Sequence, residues 1–144
     1  MKKVMFIGPS GSGKTTLYQR LGSYDIAYDK TQVIEFHNNI IDTPGEYLEN
    51  RGYYSALQVT SVEADVVALV MDCKSRSNVF PPGFARMFIK PIIGIVTKID
   101  LILDEKDYSY AEDSLRLSGV NEIFKISSLK NKKIAELRKF LEWS

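Results

Sequence analysis

The sequence predicts an α/β fold in three layers, a mostly parallel sheet of about six strands with one antiparallel edge strand and helices on both faces. Two observations carry that expectation. Short continuous apolar runs at residues 4–7, 66–71 and 92–96 read as strands buried on both faces, as a parallel sheet between helices requires. Segments of helical spacing lie between them, and alternating strand and helix winds into a sheet covered on both sides.

Helical spacing is read at 15–21, 52–62, 84–88, 105–117 and 134–141, the last with Ile134, Leu137 and Leu141 on one face. Residues 32–37 and 39–42 read as two strands joined by a turn at His37-Asn38-Asn39, which supplies the antiparallel edge; 123–126 reads as a further strand. Pro81-Pro82-Gly83 is a loop connector or a helix stop followed by a start. No repeat, low-complexity tract or linker interrupts the 144 residues, so a single domain over 1–144 is expected.

Lysine plus arginine number 19 against 18 aspartates plus glutamates, which leaves no overall field to draw the chain to nucleic acid or an anionic membrane. Any polyanion must be held locally. No apolar run approaches the ~20 residues of a membrane helix, and the apolar stretch after Met-Lys-Lys is too short for a signal peptide; a soluble, cytoplasmic protein is expected. The single cysteine, Cys73, sits in apolar surroundings and reads as a buried core thiol.

Gly8-Pro9-Ser10-Gly11-Ser12-Gly13-Lys14-Thr15 fits the G-x-x-x-x-G-K-[ST] phosphate loop and lies between an expected strand and an expected helix. Glycines let the backbone curl around phosphates with its N–H groups inward, and the following helix adds its N-terminal dipole. Lys14 would meet the β- and γ-phosphates, the Thr15 hydroxyl would ligate Mg²⁺, and Thr16 joins the nucleotide-contacting set. The competing reading is a glycine-serine turn that happens to contain a lysine.

Ile40-Ile41-Asp42-Thr43-Pro44-Gly45 is an apolar strand ending in D-x-x-G. An aspartate there holds the Mg²⁺ shell and a glycine N–H senses the γ-phosphate; a plain strand-ending turn is the alternative. Lys14, Gly45 and Glu46 are therefore the candidate catalytic groups. Thr31 is the candidate to complete the Mg²⁺ shell with Thr15 and Asp42, which makes 24–30 and 46–54 two mobile switch segments unless they are ordinary connectors. Thr97-Lys98-Ile99-Asp100 matches [NT]-K-x-D, whose aspartate accepts two N–H groups of guanine that adenine lacks; its alternative is a turn whose aspartate caps a helix. Ser127 and Ser128 sit where a serine loop would flank the base, or where a helix cap would lie.

With these motifs in order, the chain resembles the small-GTPase branch of P-loop NTPases. Asp42-Thr43-Pro44-Gly45-Glu46-Tyr47 through Arg51, Phe80-Pro81-Pro82-Gly83-Phe84 and Lys90-Pro91 through Asp100 further resemble the ethanolamine-utilisation protein P and propanediol-utilisation protein V family. That resemblance implies a role in ethanolamine or propanediol breakdown, association with a bacterial microcompartment, and a shell protein or enzyme as partner. It also implies two activities: GTP-dependent switching with slow hydrolysis, or an ATP-dependent acetate kinase needing a cation for the substrate, with Arg51, Arg76 and Arg86 as unranked candidates. A nucleotide-bound assembly protein with negligible turnover is a third reading.

Departures from the GTPase pattern bear on mechanism. Glu46 stands where many small GTPases carry a water-orienting glutamine, and a carboxylate only accepts hydrogen bonds and repels the γ-phosphate. The first switch holds no arginine, so no finger in cis is expected and turnover should be ~10⁻⁴ to 10⁻² s⁻¹ without a partner. Thr97 replaces the commoner asparagine and is expected to weaken the strut between base loop and phosphate loop. His37, Tyr53, Tyr54 and Trp143 read as structural residues, and the lysines of 130–133 as the solvated opening of the last helix.

Overall fold

The computed structural model describes residues 1–22, 33–76, 79–101, 109–128, 130 and 133–143. The first strand, β1 (Val4–Ile7), has every side chain buried and feeds the glycine loop, from which α1 (Lys14–Leu21) emerges. A hairpin follows: β2 (Glu35–His37) and β3 (Ile40–Asp42), with Asn38 at φ 52° in the turn, a left-handed conformation that asparagine tolerates. The short helix α2 (Glu46–Glu49) leads through a 3₁₀ turn to α3 (Tyr54–Thr60). Then come β4 (Val66–Asp72), β5 (Ile92–Thr97), α4 (Ser109–Ser118), β6 (Glu122–Lys125) and α5 (Ile134–Phe140).

The sheet runs β2-β3-β1-β4-β5-β6. Only β2 pairs antiparallel, with Phe36 opposite Ile41; the other four pairings are parallel. Side-chain alternation divides the interior into two cores. Met5, Ile7, Val67, Leu69 and Met71 meet Leu48, Leu57, Ala111 and Leu115 from α2, α3 and α4. Val4, Phe6, Ala68, Val70, Ile93 and Ile95 meet Leu17, Tyr18, Leu21, Ile134 and Leu137 from α1 and α5. This is the expected three-layer sheet with an antiparallel edge. After β1 the chain moves to β3 on one side and β4 on the other, so a crevice opens beyond the carboxyl ends of these strands, the usual ligand position in open α/β sheets.

Several elements differ from the sequence reading. The helix read at 52–62 is α3 flanked by two 3₁₀ turns, Arg51–Tyr53 and Ser61–Glu63. The segment at 84–88 is a 3₁₀ turn, Phe84–Met87, entered through Gly83 at φ 79°. Helix α2 was not anticipated: its four residues are too few to show a period. The last helix begins after Lys133, which sits at φ 60°, so the lysines precede it rather than open it. His37 Nε2 lies 2.9 Å from Glu35 Oε2, and Trp143, 4% exposed, donates its indole N–H to Lys2 O. Among the described residues no helix is long and apolar enough to cross a membrane.

Candidate functional site

The glycine loop follows β1 because its backbone has no room for a side chain at the turn. A Cβ on Gly8 would lie 2.6 Å from the Val70 carbonyl oxygen of β4. Gly11 and Gly13 take φ 82° and 96°, values that L side chains resist, and Ser12 N–H closes a turn on Pro9 O. Gly13 caps α1 with no side chain on the first-turn N–H groups, so the positive end of the helix faces the loop. Lys14 Nζ donates to Gly8 O at 2.5 Å. Burial lowers the Lys14 pKa, and the nearby Asp42 carboxylate opposes that shift. Thr15 and Thr16 follow in the first turn, both half-buried.

Two residues at the end of β5 brace the loop. Thr97 Oγ1 donates to Ser12 O at 2.5 Å, so a hydroxyl makes a strut to the loop where asparagine is commoner. Lys98, at φ 63°, reaches Gly11 O at 2.6 Å and Asp72 Oδ2 at 3.1 Å. The Cys73 thiol donates to Lys98 O, which anchors the same turn. Asp100 accepts from Ser127 Oγ at 2.5 Å, and Ser127 Oγ in turn accepts from Lys130 N–H. Gly13, Thr16, Thr97, Lys98, Asp100 and Ser128 line a cavity of about 280 Å³. Of the two serines, Ser127 therefore orients Asp100, while Ser128 faces the cavity.

Asp42 ends β3 at 4% exposure and accepts from the buried Tyr18 hydroxyl at 2.5 Å. Burial, then the Asp42 charge, push the Tyr18 pKa well up, so the phenol stays a donor. Thr43 Oγ1 donates to Phe6 O at 2.7 Å. Gly45 packs on the phosphate loop itself: a Cβ there would be 2.5 Å from Ser10 N. Glu46 is exposed at the start of α2. Thr31 and the first switch segment, 24–30, lie outside the described residues.

A larger cavity of about 720 Å³ shares the other wall of the loop, from Pro9 to Ser12, with Leu48, Glu49, Arg51, Tyr54, Asp72, Lys74, Val79 and Pro81. Asp72 is engaged by Lys98 and by the Lys74 backbone N–H. Among the described residues no carboxylate forms an ion pair with Arg51 or Lys74. Arg76 instead donates to Cys73 O and Ser75 O, and Arg86 packs beside Gly119. Of the three arginines, Arg51 is the one that lines this cavity.

The residues fit a polyphosphate and a base on an observation independent of motif: the hydroxyls of Ser12 and Ser128 are buried and have no hydrogen-bond partner among the described residues. Such groups normally find one. Asp42 and the Thr15 hydroxyl are hard oxygen donors of the kind Mg²⁺ takes. Among the described residues no group of three or more His, Cys, Asp or Glu could hold a metal alone, and Mg²⁺ is ordinarily bound through one or two carboxylates together with substrate phosphates. Sequence reasoning missed Tyr18, Asp72 and Lys74. Asp72 stood in view as the polar end of an apolar strand, where α/β sheets place ligand residues. Tyr18 falls on the buried side of α1 with Leu17 and Leu21, where a phenol requires an acceptor.

Two outcomes follow from these contacts. Thr97→Val keeps the shape but strands the Ser12 carbonyl, and urea unfolding should show a loss of about 1–3 kcal/mol. Because the folded-state Tyr18 pKa is raised above the ordinary phenol value of 10.0, its contribution is complete below pH 10 and declines as pH rises further, when the unfolded chain ionises first. Tyr18→Phe should therefore flatten the alkaline decline of the unfolding midpoint; Cys73, whose thiol is pushed up to about 11 mainly by burial, is common to both proteins and cancels in the difference.

Residues 1–143 match the sequence profile described as ethanolamine utilisation - propanediol utilisation. The propanediol utilization protein PduV of Citrobacter freundii is 43% identical over 141 residues, 98% of this chain and 93% of that one. A protein named probable acetate kinase EutP, from Escherichia coli K12, is 32% identical over 145 residues, 98% and 89% of the two chains. Among solved structures, a probable GTP-binding protein engB superposes with a TM-score of 0.72 at 21% identity, covering 94% of each chain. Era from Aquifex aeolicus bound to GDP.AlF4- gives 0.65 at 22% identity over 99% of this chain and 56% of that one. These two identify the fold as that of P-loop GTPases. The chain belongs to the ethanolamine utilisation - propanediol utilisation family.

Proposed function

We propose that this chain binds a nucleoside triphosphate with Mg²⁺, prefers guanine, and hydrolyses the γ-phosphate slowly. The observation that carries the proposal is Asp100, its carboxylate held by Ser127 at 2.5 Å, beside a cavity that opens against the phosphate loop. A carboxylate so fixed accepts two N–H groups from guanine and meets none in the same place on adenine, and sites built for hydrogen bonds reject analogues that lack them. Loop N–H groups and Lys14 would hold the phosphate chain, Thr15 and Asp42 would hold the cation, and Gly45 N–H, beside Ser10 of the loop, would donate to the γ-phosphate. Bound Mg²⁺ supplies neutralisation of charge on the β- and γ-oxygens. Glu46 leaves the attacking water without an amide to orient it, which keeps turnover low. On the family and the relatives' names, the chain serves propanediol or ethanolamine breakdown, in the cytoplasm beside a microcompartment.

A second reading has the same scaffold pass the phosphoryl group to acetate, as the name of the Escherichia coli relative suggests. The cavity with Arg51 and Lys74 favours it, because two cations that have no ion-pair partner among the described residues adjoin the phosphate loop. A carboxylate oxygen would attack the γ-phosphorus, the bond to the bridging oxygen would break, and the nucleoside diphosphate would leave, with no proton transferred.

Titration calorimetry should show GTP bound at least ten-fold tighter than ATP, a preference that Asp100→Ala abolishes, and triphosphate affinity should collapse in Lys14→Ala; equal or tighter ATP binding would sink the guanine reading. Glu46→Gln should raise single-turnover hydrolysis by about ten-fold or more, in line with the weight of water positioning in these sites, and an unchanged rate counts against the role given to Glu46. For the second reading, hydroxylamine added to ATP and acetate should trap acetyl phosphate, in smaller yield from Arg51→Ala. No trapped product from the unaltered protein ends that idea.

A further inference from the structure

We infer that Tyr18 is a positioning residue for the divalent-cation site, its hydroxyl holding Oδ1 of Asp42 and so setting the orientation of that carboxylate toward Mg²⁺. The inference rests on the proposed reading of Asp42 as part of the cation shell. Tyr18 has 0% and Asp42 4% exposure, and their oxygens are 2.5 Å apart, so the contact is shielded from water. Phe6 fixes the ring: it stands opposite Asp42 in the parallel ladder of β1 and β3, and the Tyr18 ring meets it edge-on at 5.0 Å and 62°. A phenylalanine would fill the same volume, yet the chain places a hydroxyl there, a group that is costly to bury without a partner.

The helix explains why this matters for a metal. Tyr18 lies on α1 one turn beyond Lys14 and Thr15, on the side of the helix they share, so a single rigid element carries one proposed cation ligand and the hold on the other. The terminal torsion of an aspartate is soft, whereas Mg²⁺ demands near-ideal octahedral geometry. Hydrogen bonds that orient a ligating carboxylate are typically worth 10–100-fold in metal affinity.

The test compares Tyr18→Phe with the unaltered protein, using the non-hydrolysable triphosphate, GTP or ATP analogue, that the latter binds more tightly. Affinity in EDTA should agree within about two-fold, while the Mg²⁺ concentration that half-restores tight binding rises about ten-fold. With Ca²⁺, whose coordination is flexible, the loss should be smaller. p-Aminophenylalanine at position 18, which returns a donor to the para position, should recover the Mg²⁺ response, and Asp42→Asn combined with Tyr18→Phe should lose no more than Asp42→Asn alone. An unchanged Mg²⁺ response in a folded Tyr18→Phe, an equal loss with both cations, or additive losses in the double variant would each overturn the inference alone. Should Tyr18→Phe not fold, the p-aminophenylalanine protein decides: a response far below that of the unaltered protein overturns the inference, and a normal one supports it. An unaltered protein indifferent to Mg²⁺ would overturn the cation reading itself, and this inference with it.

Discussion

The phosphate loop is held in shape by donors that take its carbonyls. Lys14 Nζ engages Gly8 O, Lys98 Nζ engages Gly11 O and Thr97 Oγ1 engages Ser12 O. A trans peptide is planar, so a carbonyl drawn one way turns the N–H of the same unit the other way. The hydroxyl on Ser12 O thus turns Gly13 N–H away from Thr97. A short glycine-rich segment could not keep that orientation alone, because glycines leave the backbone too many conformations. The ordering comes from β5, two places from β1 in the sheet, whose terminal turn crosses the end of β4 and rests Lys98 on Asp72 as it passes.

Opposed charges share this crowded edge. Lys14 is desolvated enough to lower its pKa even with Asp42 nearby, while Arg51 and Lys74 face the larger cavity. Asp72 is compensated by Lys98, and Asp42 accepts a hydrogen bond from the Tyr18 phenol. Both signs occur on either side of the loop: Arg51 and Lys74 line the larger cavity with Glu49 and Asp72, and Lys98 lines the smaller one with Asp100.

Most of the fold was legible because its signals are local. Buried strands announced themselves as apolar runs, the hairpin turn carried an asparagine at its positive φ, and the phosphate loop is a contiguous pattern. What escaped depends on contacts far apart in sequence. Thr97 reads as a weak strut until its hydroxyl is found on a residue 85 positions away. Tyr18 and Asp42 are separated by 24 and meet only because α1 lies back across β1 and β3. The sequence offers Gly45 as a candidate phosphate sensor, but its packing on Ser10 depends on how closely two loops approach. The first switch and Thr31 lie outside the described residues, so that part of the candidate site stands as read from the sequence.

On the proposed function, the choice between water and a carboxylate as phosphoryl acceptor turns on the wall that the two cavities share. Gly13 faces the smaller cavity, and Pro9 to Ser12 face the larger one. A nucleotide filling the first would leave its terminal phosphate toward the second, where Arg51 has come from the segment that follows Gly45. A guanidinium there stabilises charge on a transferring phosphoryl group whichever nucleophile attacks, so Arg51 by itself does not separate hydrolysis from transfer. Lys74 does bear on the choice. It lies in the turn after β4 and lines the cavity together with Arg51, and on the proposed reading a second cation there suits an additional anion. On the proposed reading, the same opening that would admit such an anion would also admit water, and with a carboxylate at Glu46 in place of a water-orienting amide the balance between the two nucleophiles would rest on occupancy of the larger cavity rather than on a change in the nucleotide site.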